Sequence, residues 1–256
     1  MSASEPRLFS VISWGASGSQ WLVRLLNAHP DVLCLHHLRG HWAFILDEPP
    51  VANLTYLRVV ERQGRAYRLA GDVHGVDPHD LDAARREFGS RLRVACMSRH
   101  PVPRIASQLG VLHQRGFASY GLSPRRLRHS LPRGLRAAFD DEEKLFFVHV
   151  MGLVNRIRLE TQLGPVFTLE RLSGEVEAVH ELLDHLSAGE LTFPEEVLER
   201  LWARPLNPHA SPDQPRDPKD AFARWPSWQR EAFATLLEPE ARALYESLGF
   251  DLSFVS

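Results

Sequence analysis

Apolar residues in this chain fall into two kinds of run. Short unbroken runs of strand-forming residues end in glycine, proline or serine, and longer stretches repeat apolar positions every three or four residues. The first short run, Leu8–Trp14, stops at Gly15-Ala-Ser-Gly-Ser19. Trp21, Leu22, Leu25 and Leu26 then mark one face of a helix that His29-Pro30 ends. Val32–Leu35 predicts a second buried strand, and the stretch from His36 to Gly64 reads as irregular, with Pro49-Pro50 in a loop. Tyr67–Gly71 is a weaker strand, and Leu81–Phe88 is expected to be helical with Asp80 as N-cap. Arg93–Ser98 reads as a strand, and Pro101 suits the first turn of a helix reaching about Leu112. The spacing predicts helices over Glu142–Leu163, Val176–Leu186, Glu195–Trp202 and Trp228–Leu248, and a strand at Pro165–Leu169. Short buried strands alternating with helices imply an α/β fold with a central parallel sheet flanked by helices. Residues 1–256 are expected to form a single domain, with 205–227 as a proline-rich loop or lid; Pro205–Pro218 alone holds five prolines.

Composition narrows the chemistry. At 256 residues the chain buries a core that needs neither disulfide nor metal. A net charge of −2 gives no global field favouring nucleic acid or an anionic membrane, so any anion site must be local. Cys34 and Cys96 sit inside apolar runs, which points to two buried free thiols and a reducing compartment. No charged-then-apolar leader opens the chain, and no apolar run approaches the ~20 residues of a membrane helix. The expected location is the cytoplasm.

Two segments carry candidate chemistry. Gly15-Ala16-Ser17-Gly18-Ser19-Gln20 joins a strand to a helix, and such a turn presents backbone N–H groups and the positive helix end to an anion. Ser17 and Ser19 add hydroxyls and Gln20 an amide. The same residues also suit a plain strand-to-helix turn capped by serines. A nucleotide-kinase loop would end in Gly-Lys-Ser/Thr, and here Ser19-Gln20 stands instead. The second segment is Arg99-His-Pro-Val-Pro-Arg-Ile-Ala-Ser107. Arg99 follows a strand and can fork onto a phosphate, with Ser107 about two turns along the next helix donating a hydroxyl. Each residue alone also reads as a solvated surface group.

Together these segments resemble the sulfotransferases that use 3′-phosphoadenosine 5′-phosphosulfate (PAPS). Ser13-Trp-Gly-Ala-Ser-Gly-Ser-Gln-Trp-Leu22 is similar to the family's 5′-phosphosulfate loop, typically Pro-Lys/Arg-Ser-Gly-Thr-Thr-Trp-Leu. Asn27-Ala-His-Pro-Asp31 resembles the end of its first helix. Arg99 and Ser107 match the spacing of its 3′-phosphate motif. Leu169-Glu-Arg-Leu172 resembles its Tyr-Glu-Asp-Leu signature, and Leu244–Phe250 its last helix. The resemblance implies a fold related to the P-loop kinases, PAPS as co-substrate, 3′-phosphoadenosine 5′-phosphate (PAP) as product, and no metal. It implies Gly15, Ala16, Ser17, Gly18, Ser19, Gln20, Trp21, Arg99 and Ser107 as nucleotide-binding residues. The reaction would move a sulfuryl group to a hydroxyl or amine of a small-molecule or saccharide acceptor, with a homodimer left open.

His74 is the candidate base, at the end of the strand before the 3′-phosphate motif, with Asp72 as its partner or replacement if the backbone there is extended. Position 16 departs from the family: Ala16 stands where a lysine or arginine is usual, and no basic residue lies between Arg7 and Arg24. Such a donor normally contributes on the order of 3 kcal/mol to the transition state. Lys219 is the preferred replacement, with Arg216 and Arg224 nearby. A weak or inactive PAPS-binding protein and a P-loop-like small-molecule kinase are the alternative functions. His36, His37, His41 and Cys34 invite a zinc reading, but their spacing matches no standard site, and Trp42 and Phe44 suggest acceptor-pocket walls instead.

Overall fold

The computed structural model describes residues 5–36, 52–78, 81–115, 141–203 and 217–256. Strand β1 (Arg7–Ser13) leads into helix α1 (Ser19–Asn27), then β2 (Val32–His36), α2 (Asn53–Gln63), β3 (Leu69–Val73) and α3 (Asp82–Phe88). β4 (Leu92–Ser98), α4 (Pro101–Arg115), α5 (Asp141–Leu163) and β5 (Val166–Thr168) follow. The described chain ends with α6 (Leu169–Leu172), α7 (Val176–Ser187), α8 (Glu195–Trp202), α9 (Pro218–Ala223), α10 (Ser227–Leu236) and α11 (Pro239–Ser247). The strands form one five-stranded sheet of order β2-β3-β1-β4-β5, with every pair parallel. The fold is the α/β class expected.

Two compact units emerge. The first comprises residues 1–98 and 160–209, and the second residues 99–159 and 210–256. The first holds the sheet, whose pleat sends alternate residues to opposite faces. Phe9, Val11, Cys34, Leu69, Val73, Ala95 and Met97 pack with Trp21, Leu22, Leu25 and Leu26 of α1 and Val179, Leu182 and Leu183 of α7. The other face puts Leu8, Ile12, Ala70 and Cys96 against Tyr56, Leu57 and Val60 of α2 and Ala84 and Phe88 of α3. Burial on both faces is why these strands read as near-continuous apolar runs. The second unit has its own core, in which Phe146, Trp225 and Phe233 pack with Val102, Ile105, Leu153 and Tyr245. Both cysteines are buried free thiols. Burial drives Cys96 up to about 12 and, with Asp72 nearby, Cys34 well above the usual thiol range.

Several expectations shift. Asn53–Gln63 is a helix where irregular chain was expected, burying Asn53, Tyr56, Leu57 and Val60 on one face. β3 runs two residues further than read, to Val73. α3 begins after Leu81, and Asp80 lies outside the described residues. The C-terminal helical stretch is split at Pro239, which opens α11 at its first turn. Pro49-Pro50, the stretch 116–140 and most of the proline-rich loop, 204–216, lie outside the described residues.

Candidate functional site

In a parallel sheet the carboxyl ends of all strands share one edge, where ligands of open α/β proteins gather. Here that edge of the first unit carries the loop after β1, His36 at the end of β2, His74 after β3, Ser98 at the end of β4 and Thr168 at the end of β5.

The loop is built around Gly18, the N-cap of α1, in the left-handed conformation at φ 86°. A Cβ there would come within 2.6 Å of the Leu169 side chain, so glycine is required by conformation and by space. Leu169 opens the Leu169–Leu172 segment, which accounts physically for two of the matched motifs at once. Among the described residues no side chain caps α1, and its first turn holds no acidic residue. The positive end of such a helix favours an anion.

The loop residues divide by role. Ser17 is fully buried, bonded to the Ser13 hydroxyl at 2.7 Å and donating to the Trp14 carbonyl, so its hydroxyl holds the turn. Trp21, only 6% exposed, belongs to the core beneath. Gly15 and Gln20 are exposed, and Ala16 and Ser19 half-buried. Ala16 is itself left-handed, at φ 65°. The end of α1 is pinned to β2 by Asn27, which donates to the Cys34 carbonyl and accepts from its N–H, both at 2.8 Å. His29 accepts the Asp31 N–H and reaches the Thr192 carbonyl at 3.1 Å.

At the neighbouring strand ends, His74 sits at φ 74°, so the extended backbone that would align it with Asp72 does not hold there. Asp72 is fully buried and turns to Tyr56, whose hydroxyl donates to it at 2.6 Å, and to the Gly75 N–H. Asp72 thereby clamps the turn that carries His74. His36, named above only in the zinc reading, joins this edge: its Nε2 lies 3.2 Å from the Ser19 hydroxyl, and its ring stands 5.6 Å from that of His74 at 68°. Its place as the last residue of β2 was the available signal, obscured by the histidines around it. Cys34 is buried in the core, and no group of three metal-ligating side chains occurs among the described residues. His37, His41, Trp42 and Phe44 lie outside them.

The second unit holds the other candidates. Arg99, half-buried, directly follows β4. His100 then opens α4: its Nδ1 accepts the Val102 N–H at 3.3 Å, and its Nε2 donates to the Asp251 carbonyl at 3.0 Å. Burial lowers the His100 pKa despite that carbonyl. Ser107 is half-buried on the same helix. Lys219 is exposed in the first turn of α9, where Asp217 caps its N–H at 2.8 Å. It lines an open cavity of about 670 Å³ with Phe222, Arg230, Glu231 and Phe254. Arg224 is exposed, and Arg216 lies outside the described residues.

The first unit is therefore an open, all-parallel α/β scaffold with an uncapped, glycine-opened helix at its ligand edge. The chain matches no protein-family model and no curated protein. Among solved structures it is similar to a sulfotransferase from Alicyclobacillus acidocaldarius, at 17% identity and a TM-score of 0.51 over 98% of each chain. It is also similar to mouse sulfotransferase SULT7A1 complexed with PAP, at 14% identity and a TM-score of 0.51 over 96% of this chain and 90% of that one. The chain has the sulfotransferase fold.

Proposed function

We propose that this chain is a PAPS-dependent sulfotransferase, acting on a hydroxyl or amine of a small-molecule or saccharide acceptor. The observation that carries the reading is the turn from β1 into α1. Gly18 opens there a helix with no side-chain cap and no acidic residue in its first turn. Such an end bears roughly half a positive charge and suits a phosphate or sulfate group. That a fold neighbour is complexed with PAP supports the same nucleotide here.

On this reading Gly15, Ala16, Gly18, Ser19 and Gln20 hold the 5′ end of the nucleotide, while Ser17 and Trp21 fix the loop from below. Arg99 and Ser107 hold the 3′-phosphate. Bound PAPS supplies the sulfuryl group, whose bond to the phosphate oxygen breaks as the acceptor's oxygen or nitrogen bonds to sulfur, leaving PAP. His74 takes the acceptor's proton, since imidazole titrates near neutrality. Asp72 fixes the turn beneath it. Ala16 brings no charge to the leaving phosphate, so a cation must come from elsewhere, and Lys219 is one candidate.

The test is a screen of hydroxyl and amine acceptors with sulfur-labelled PAPS. Acceptor-dependent appearance of labelled product and of PAP is expected. Product that still forms at the parent rate with His74→Ala would contradict the assigned base.

A further inference from the structure

We propose that His36, as an imidazolium, supplies the positive charge that the loop at residues 15–20 lacks, taking up a proton as the nucleotide binds. The inference rests on the sulfotransferase reading above.

Neither flanking arginine serves that loop. Arg7 lies at the opposite end of β1, paired with Glu190. Arg24 is exposed in the last turn of α1. His36 stands at the correct edge: it ends β2, and its Nε2 is 3.2 Å from the hydroxyl of Ser19, the first residue of α1. An anion seated on the start of α1 therefore meets this ring nitrogen. Imidazole ionises near pH 6.5, and a neighbouring anion favours its charged form.

The groups facing His36 agree with this role. From α1 comes the uncharged Ser19. From β3 comes Val73, its partner in register, and from the turn beyond it His74. Asp72 pairs in register with Leu35, and its carboxyl accepts from the Tyr56 hydroxyl and the Gly75 N–H. On β2 itself Cys34 is held neutral by a thiol pKa well above the usual range. Beside His36 stands His74, with ring centroids 5.6 Å apart. Two like charges so close oppose each other, so a proton on His36 discourages one on His74. His74 then stays neutral, the form a base needs. One proton divides the pair into a cation for the nucleotide and a base for the acceptor.

Calorimetric titration of the whole chain with PAP at pH 7.5, in two buffers of different ionisation enthalpy, counts the proton. The phosphates of PAP are already dianions there, their second pKa being ~6. Uptake of roughly 0.4 to 0.8 proton per PAP is expected, with His36→Gln abolishing it and weakening PAP about two- to tenfold, as a rise of one to two pKa units from 6.5 does at this pH. Glutamine keeps a hydrogen-bonding partner for Ser19. PAP binding without uptake, or uptake that survives in His36→Gln or vanishes in His74→Gln, overturns the assignment of His36 and leaves the sulfotransferase reading standing. An already charged Lys219 in that role would give no uptake. Failure of the parent chain to bind PAP at any pH overturns both. Should His36→Gln fail to fold, the His36 ring proton followed by NMR in the parent replaces it. A pKa rise of at least one unit on adding PAP supports the proposal, and no rise rejects it.

Discussion

Ala16 and His74, following adjacent strands at the same sheet edge, both hold positive φ without being glycine. A non-glycine residue in that region costs about 1 kcal/mol or more and persists where the surroundings impose it, often at functional sites. Ala16→Gly is therefore expected to leave stability unchanged or raise it by up to about 1 kcal/mol in urea unfolding. Gly18→Ala should destabilise by more than about 2 kcal/mol, because it adds strain at φ 86° and a clash with Leu169. With His36 charged, Ala16→Lys should change turnover less than about threefold. A gain near 100-fold, the scale of one transition-state donor, would mean that nothing replaces the missing cation. For the 3′-phosphate, Arg99→Ala should weaken PAP by about 2–4 kcal/mol and Ser107→Ala by about 1 kcal/mol, measured by calorimetry. The sequence displayed the glycine and serine content of this loop. It could not display the strain at Ala16, since alanine gives no signal for left-handed backbone, nor the spending of the Ser17 hydroxyl on Ser13 and Trp14.

Among the elements, those with clear periods or short buried runs were legible within a residue or three at their ends. β1, α1, β2, β4 and α7 fall in this group. α2 was missed although Asn53, Tyr56, Leu57 and Val60 share a face, because no side-chain cap marks its start and Thr55, Val59 and Val60 favour strands. β3 was offset because its second half includes the buried carboxyl of Asp72, and its hydrogen-bonding partners, Tyr56 and the Gly75 N–H, are visible only in the fold. In α5, burial and the neighbouring cations Arg156 and Arg104 push His149 down to about 4. Its folded pKa lies below the ordinary 6.5, so the unfolded chain binds the proton more readily. Stability should be full above pH 6.5 and fall towards pH 4 by on the order of 3 kcal/mol. Urea midpoints at pH 7 and pH 4.5 measure this, and His149→Gln should flatten the difference.

At the scale of the molecule, alternating strands and helices announced a parallel sheet, but not the strand order β2-β3-β1-β4-β5, which depends on contacts between distant segments. The motif spacing did announce the fold, because Gly18 and Leu169, 151 residues apart, had to be compatible for the loop to close. On the proposed function, this fold recognises a nucleotide bearing both a 5′ and a 3′ phosphate. The most direct measurement is thermal unfolding of the parent chain with saturating PAP, AMP or ATP. A ligand at 100 times its dissociation constant adds ~2.7 kcal/mol of stability. PAP should raise the melting temperature by several degrees more than either AMP or ATP; equal shifts for PAP and AMP would contradict the account.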